Sequence, residues 1–147
     1  ETSHYTDLMP DGKARIFTFV MEAKSLITFP SGGQKLSGPG PYEITGLAWS
    51  GRGRIERVEV STDAGQTWRD AVLQEPRLSM AFTRFRFPWQ WDGSPVVLQS
   101  RCTDQTSYVQ PTKEALVAAR GKNSQYHYNG IQAWKVLSDG KVTNADA

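Results

Sequence analysis

The chain has 147 residues, 17 basic and 15 acidic, a net charge of +2 and one cysteine. A single domain of this size buries roughly two thirds of its unfolded surface, so it folds without a disulfide or a structural metal. A two-charge excess gives too weak a field for a nucleic-acid binder, and one thiol excludes an internal disulfide and a cysteine-built zinc site.

Residues 1–23 read as an extended arm, polar up to the turn signal Pro10-Asp11-Gly12. From Arg15 to Glu22 the arm is β-prone, with Phe17, Phe19 and Met21 on one side and Ile16 and Val20 on the other. That pattern predicts a strand or extended segment covered on both faces. The folded domain is expected over 24–147. Lys24 to Phe29 predicts a short strand, and the proline- and glycine-rich stretch 30–41 predicts a loop. Tyr42 to Trp49 alternates, with Ile44, Gly46 and Ala48 on one face. Ser50-Gly51-Arg52-Gly53 makes a corner, and Ile55 to Ser61 with Thr67 to Leu73 reads as a hairpin around Asp63-Ala64-Gly65. In that hairpin Val58 and Val60 face one way, Arg57 and Glu59 the other.

Met80 to Trp89 alternates with a change of register between Phe82 and Phe85, predicting a bulge. Val96, Leu98, Ser100 and Cys102 line one face of a strand that ends at Asp104. Pro111-Thr112-Lys113-Glu114 caps a helix running to Arg120 and stopped by Gly121. A polar, aromatic loop from Asn123 to Asn129 leads to a last strand, Ile131 to Leu137. About seven short strands separated by turn residues define an all-β sandwich of immunoglobulin type, without the disulfide of antibody domains.

The residue inventory carries no self-contained active site. His4 and His127 are the only histidines and lie at opposite ends of the chain, with no second metal ligand at helical or hairpin spacing. Cys102 sits on an apolar strand face and reads as a small buried hydrophobe. The corner at residues 50–54 lacks the lysine-plus-hydroxyl pair of a phosphate loop, and a strand follows it instead of a helix. Glu56, Glu59 and Asp63 are accounted for as partners of Arg52, Arg54 and Arg57. The chain opens with Glu1-Thr2-Ser3-His4, which is neither an initiator methionine nor a secretion signal. We expect a piece of a longer polypeptide that carries any signal upstream. On these residues alone, a β-sandwich binding or interaction module is the expectation.

The wording of one segment goes further. Ala48-Trp49-Ser50-Gly51, Gly53, the strand Val58 to Val60 and Ser61-Thr62-Asp63-Ala64-Gly65 through Trp68 resemble the dimerisation domain of molybdenum-cofactor oxidoreductases of the sulfite oxidase family. Arg101-Cys102-Thr103-Asp104 and Gln110-Pro111 extend the resemblance, as do both ends of the chain, which look like the sulfane-oxidising branch of that family. A sulfite dehydrogenase is the alternative within it.

The resemblance implies an immunoglobulin-like (E-set) fold and a homodimer formed through this domain. It further implies molybdenum-molybdopterin held by the enzyme's own preceding domain and none held here. Expected partners are a c-type cytochrome and a sulfur-carrier protein, in the periplasm, with neither nucleic acid nor membrane involved. By the same resemblance Tyr5 matches a tyrosine placed beside the molybdenum, with a catalytic role. The loop holding Gln125, Tyr126 and His127 reaches the substrate-pocket rim. That loop lacks the arginine that sulfite oxidases send to the substrate anion, which suits a carrier-bound sulfane better than free sulfite.

Overall fold

A computed structural model describes residues 6–9, 11–15, 19–121 and 126–145. In chain order the strands are β1 (Asp7–Leu8), β2 (Ala14–Arg15), β3 (Lys24–Phe29), β4 (Gly40–Trp49), β5 (Ile55–Ser61), β6 (Arg69–Asp70), β7 (Val72–Leu73), β8 (Thr83–Trp91), β9 (Val96–Asp104), β10 (Ala133–Val136) and β11 (Val142–Asn144). One helix among the described residues, α1 (Lys113–Arg120), follows β9.

Period-two alternation builds the sandwich. Along β8, Thr83, Phe85, Phe87, Trp89 and Trp91 are buried while Arg84, Arg86, Pro88 and Gln90 are exposed. Along β4, Ile44, Gly46 and Ala48 turn inward. These strands form an antiparallel sheet in the order β3-β4-β8-β7. Ile55, Val58, Val60, Leu98, Cys102, Val136 and Val142 supply the facing side from a second antiparallel sheet, ordered β11-β10-β9-β5-β6. Burying a single side chain of this kind contributes about 1.5–3 kcal/mol, so the shared interior dominates the stability. The all-β, immunoglobulin-like sandwich expected from the sequence is the fold observed.

Four local expectations are corrected. Residues 16–18 of the arm lie outside the described residues, residues 19–22 belong to no strand, and Phe19, Val20 and Met21 are exposed rather than covered. This last stretch runs outside both sheets, tied by the Gly51 amide to the Met21 carbonyl at 2.8 Å. The expected bulge between Phe82 and Phe85 is absent, because β8 begins at Thr83 and pairs with β4 without interruption from Ala48 to Gly40. Phe82 lies before the strand and packs edge-on against Trp49 instead. True register shifts fall between Ile27 and Phe29 and between Ile55 and Arg57, the latter letting Ile55 and Val58 both face inward.

The second hairpin strand divides. Arg69 and Asp70 pair with β5, Ala71 N–H still donates to the Val58 carbonyl, and Val72 and Leu73 cross to pair with β8 in the other sheet. At the far end, the strand predicted to start at Ile131 starts at Ala133. It turns at Gly140 into β11, a strand the sequence reading did not include.

Candidate functional site

The corner after β4 and the end of β9 are built around one carboxylate. Asp104, 1% exposed, accepts hydrogen bonds from Ser50 Oγ (2.7 Å), Thr106 N (2.9 Å), Thr106 Oγ1 (2.6 Å) and Tyr108 N (3.3 Å). Burial alone would raise its pKa, but the donors on Thr106, Ser50 and Tyr108 outweigh burial and hold it below the usual aspartate value. The result is a fixed platform from which Tyr108 points toward the arm.

Tyr108 links arm and loop. Its hydroxyl donates to Glu22 Oε2 at 2.9 Å and accepts from Asn129 Nδ2 at 3.2 Å, while Asn129 Nδ2 also reaches the Ala23 carbonyl at 3.2 Å. Arg52 pairs with Glu22 at 3.3 Å from the glycine corner. Asn129 is 2% exposed and its Oδ1 is a buried acceptor that no described residue satisfies.

Two cations hold the following carbonyls. Arg120, in the last turn of α1, donates to the Tyr126 carbonyl at 2.8 Å and lies 3.5 Å from that of His127. Lys24 Nζ donates to the Tyr128 carbonyl at 2.6 Å and sits 5.1 Å over the Tyr128 ring. Half-burial lowers the Lys24 pKa. Tyr126 and His127 stack at 4.1 Å, and His127 adopts a left-handed φ of 49°.

The expected pocket-rim residues therefore divide. Tyr126 and His127 sit together, half-buried, on a loop braced by Arg120, Lys24 and Asn129. Tyr5 and Gln125 lie outside the described residues. Glu22, Lys24, Tyr108, Arg120 and Asn129 were not singled out from the sequence. For Glu22, Lys24, Tyr108 and Asn129, partners 21 to 106 positions apart leave no local pattern to read. Only Arg120 carried a signal, as a cation in the last turn of a helix.

Replacing Arg120 by methionine is expected to cost about 1–3 kcal/mol, because the loop carbonyls lose their charged donor. Amide exchange across residues 126–129 should accelerate. Unchanged exchange there would show that the guanidinium does not order the loop.

The donor set does not suit molybdenum or a thiolate-bound cofactor. Among the described residues no three His, Cys, Asp or Glu side chains converge. Cys102 is fully buried, and burial, with the Asp104 charge, pushes its thiol up to about 12. At pH 8 about one thiol in ten thousand is then ionised. In the folded protein Cys102 should resist alkylation by iodoacetamide and react only on unfolding. Prompt stoichiometric labelling at pH 8 would contradict this placement.

Asp63 proves to be a turn former rather than an arginine partner. It accepts from Thr67 and Ser61 side chains and from the Thr67 amide, which together lower its pKa to about 2. Glu59, by contrast, is buried between Arg57 (3.0 Å) and Arg101 (2.7 Å), and Arg101 stacks on Trp68. Glu56 pairs with Arg54 as expected.

Fold and site thus define an immunoglobulin-like module that presents a braced polar loop beside an extended arm and lacks metal-ligand chemistry of its own among the described residues. The profile of the Mo-co oxidoreductase dimerisation domain matches residues 15–133. A crystal structure of the sulfane dehydrogenase SoxCD from Paracoccus pantotrophus contains a chain that superposes with a TM-score of 0.93 and 57% identity. The match covers 98% of this chain and 37% of that one. Sulfite oxidase of Gallus gallus is 43% identical over 106 residues, 65% of this chain and 22% of that protein. A nitrate reductase [NADPH] of Fusarium oxysporum is 34% identical over 80 residues, 52% of this chain and 9% of its own length. The chain belongs to the Mo-co oxidoreductase dimerisation domain family, and it spans well under half the length of these relatives.

Proposed function

We propose that this chain is the C-terminal dimerisation part of a sulfane dehydrogenase, a molybdenum-dependent oxidoreductase of sulfur oxidation. The likeness to the Paracoccus enzyme carries the reading, at 57% identity with 98% of this chain covered. Sulfite oxidases share less of it. The molybdenum cofactor, when bound, supplies the two-electron redox centre from the preceding domain. This chain contributes a two-fold contact and a rim to the pocket.

The rim is Tyr126 and His127, and Gln125 and Tyr5, outside the described residues, are assigned to the pocket by family resemblance alone. Cations near the rim are already committed: Arg120 and Lys24 donate to loop carbonyls and Arg52 pairs with Glu22. None is left aimed at a small free anion from the described loop, which favours a sulfane chain attached to a carrier protein over free sulfite. A c-type cytochrome subunit takes the electrons, in the periplasm.

The test is the whole polypeptide with its upstream domain, purified and analysed for molybdenum and pterin, then assayed on both substrates. Turnover of carrier-bound sulfane with little on sulfite supports the reading. Equal or faster turnover of sulfite would move the protein to the sulfite dehydrogenases. Tyr5→Phe and His127→Ala in that enzyme should lower kcat/KM while leaving the unfolding midpoint unchanged.

A further inference from the structure

We propose that the outer face of the sheet β3-β4-β8-β7 docks an extended acidic segment of a partner protein, anchored by Arg84 and Arg86. The proposal does not depend on the molybdenum chemistry. Both arginines are exposed on β8, and among the described residues neither makes an ion pair, a side-chain hydrogen bond or a ring contact. That sets them apart. The other arginines with described side chains pair with carboxylates, except Arg69, which lies over the Phe87 ring, and Arg120, which holds loop carbonyls.

The missing counter-charge is written in the strand register. On a sheet face the residue directly opposite is the natural partner of a charged side chain. Arg84 stands opposite Leu47 in β4, and Arg86 stands between Thr45 in β4 and Val72 in β7. Glu43, on the same face of β4, pairs with neither. The other sheet does the reverse: there Arg57 meets Asp70, and Glu59 lies between Arg57 and Arg101. Two like charges held side by side without a carboxylate weaken the sheet, and an incoming acid offsets that loss.

A cavity of about 350 Å³ opens on this face, lined by both arginines with Thr28, Thr45, Leu47 and Gln74. Its shape comes from the fold. The register shift in β3 between Ile27 and Phe29 leaves Thr28 without a partner in β4, and Thr28 Oγ1 donates to the Thr45 carbonyl at 3.3 Å. Gln74 is positioned by its N–H, which donates to the Arg84 carbonyl at 2.9 Å. Its carboxamide and the Thr45 hydroxyl have no side-chain partner among the described residues. Two guanidinium groups, a carboxamide and a hydroxyl thus border one opening, rich in donors and flanked by apolar Leu47 and Val72. Carboxylates are the acceptors such donors hold best, and arginine beside apolar surface is the composition of protein interfaces.

Spacing and charge choose the occupant. Residues two apart on a strand are separated by roughly 7 Å, so the two guanidinium groups match carboxylates at alternate positions of an extended segment better than one small anion. A second copy of this chain would bring two further arginines against a single carboxylate, Glu43, and leave cations desolvated and unpaired.

Calorimetric titration of the full-length polypeptide with a short peptide of alternating glutamate and threonine tests the proposal, with alternating lysine and threonine as control. The acidic peptide should bind at low salt and weaken as salt rises, while the basic one should not bind. Arg84→Gln combined with Arg86→Gln should lower the affinity at least about tenfold. Both arginines are exposed, so this double variant should keep the thermal midpoint and oligomeric mass of the parent. Lys35→Gln combined with Lys141→Gln removes the same charge from another edge and should leave the affinity within about twofold.

No binding of the acidic peptide overturns the proposal. Equal losses in the two double variants do so as well, because net charge alone would then explain them. A fall in oligomeric mass in the arginine variant would give the face to a second copy instead.

Discussion

Asp104→Ala is expected to cost about 3–5 kcal/mol of folding stability, enough to unfold a marginal domain. Removing the carboxylate leaves Ser50 Oγ without its acceptor in a buried site and takes the shared acceptor from the part-buried Thr106 N, Thr106 Oγ1 and Tyr108 N. Each buried donor left unpaired costs about 1–3 kcal/mol, and relaxation recovers part of the sum. The sign with pH follows from the depressed folded pKa. The contribution of Asp104 is fully present above the unfolded value, near 3.9, and is lost as pH falls through the folded one. Urea unfolding at pH 7 and pH 3 should show a smaller acid loss in the variant than in the parent. An identical pH dependence would mean that Asp104 is not the group being protonated.

Gly46→Ala is expected to cost about 3 kcal/mol although alanine is the better strand residue. Gly46 sits in β4 between Ile27 of β3 and Phe85 of β8. An added Cβ would collide with the Phe85 ring and the Leu26 carbonyl oxygen. The ring can be shortened but the backbone oxygen cannot. Phe85→Leu should therefore rescue part of the loss in the double variant, giving a coupling energy that simple addition of the single costs misses. Full additivity in thermal unfolding would refute the steric account.

What the sequence reveals follows how locally each feature is encoded. The alternation Ile44, Gly46, Ala48 and the cap-to-stop frame from Thr112 to Gly121 are short-range patterns, and both appear where expected. Thr112 Oγ1 accepts from Ala115 N and Gly121 takes a φ of 88°. The arm misled because Phe19, Val20 and Met21 read as strand while their apolar surface faces outward. Periodicity registers that a side chain is apolar, not what covers it. Phe82 misled in the same way, seeming to continue β8 while it packs on Trp49 outside the strand. Glu59 was expected on a solvated face. Arg57 and Arg101, the second more than forty residues away, bury it between two guanidinium groups. The loop at 126–129 was expected at a pocket rim from family resemblance alone, and its bracing by Glu22, Lys24, Tyr108, Arg120 and Asn129 became visible only in three dimensions.

The crossing at Ala71 has a consequence for how the protein behaves in a crowded solution. A free strand at the margin of a sheet is a template on which other chains can aggregate. Here one short passage of chain closes a margin of both sheets, as β6 on one and β7 on the other, each only two residues long. Arg69 and Asp70 are exposed and charged, and the chain leaves each sheet before an incoming strand could find a ladder to extend. A member of a dimerisation-domain family thereby keeps that margin unattractive to indiscriminate strand pairing.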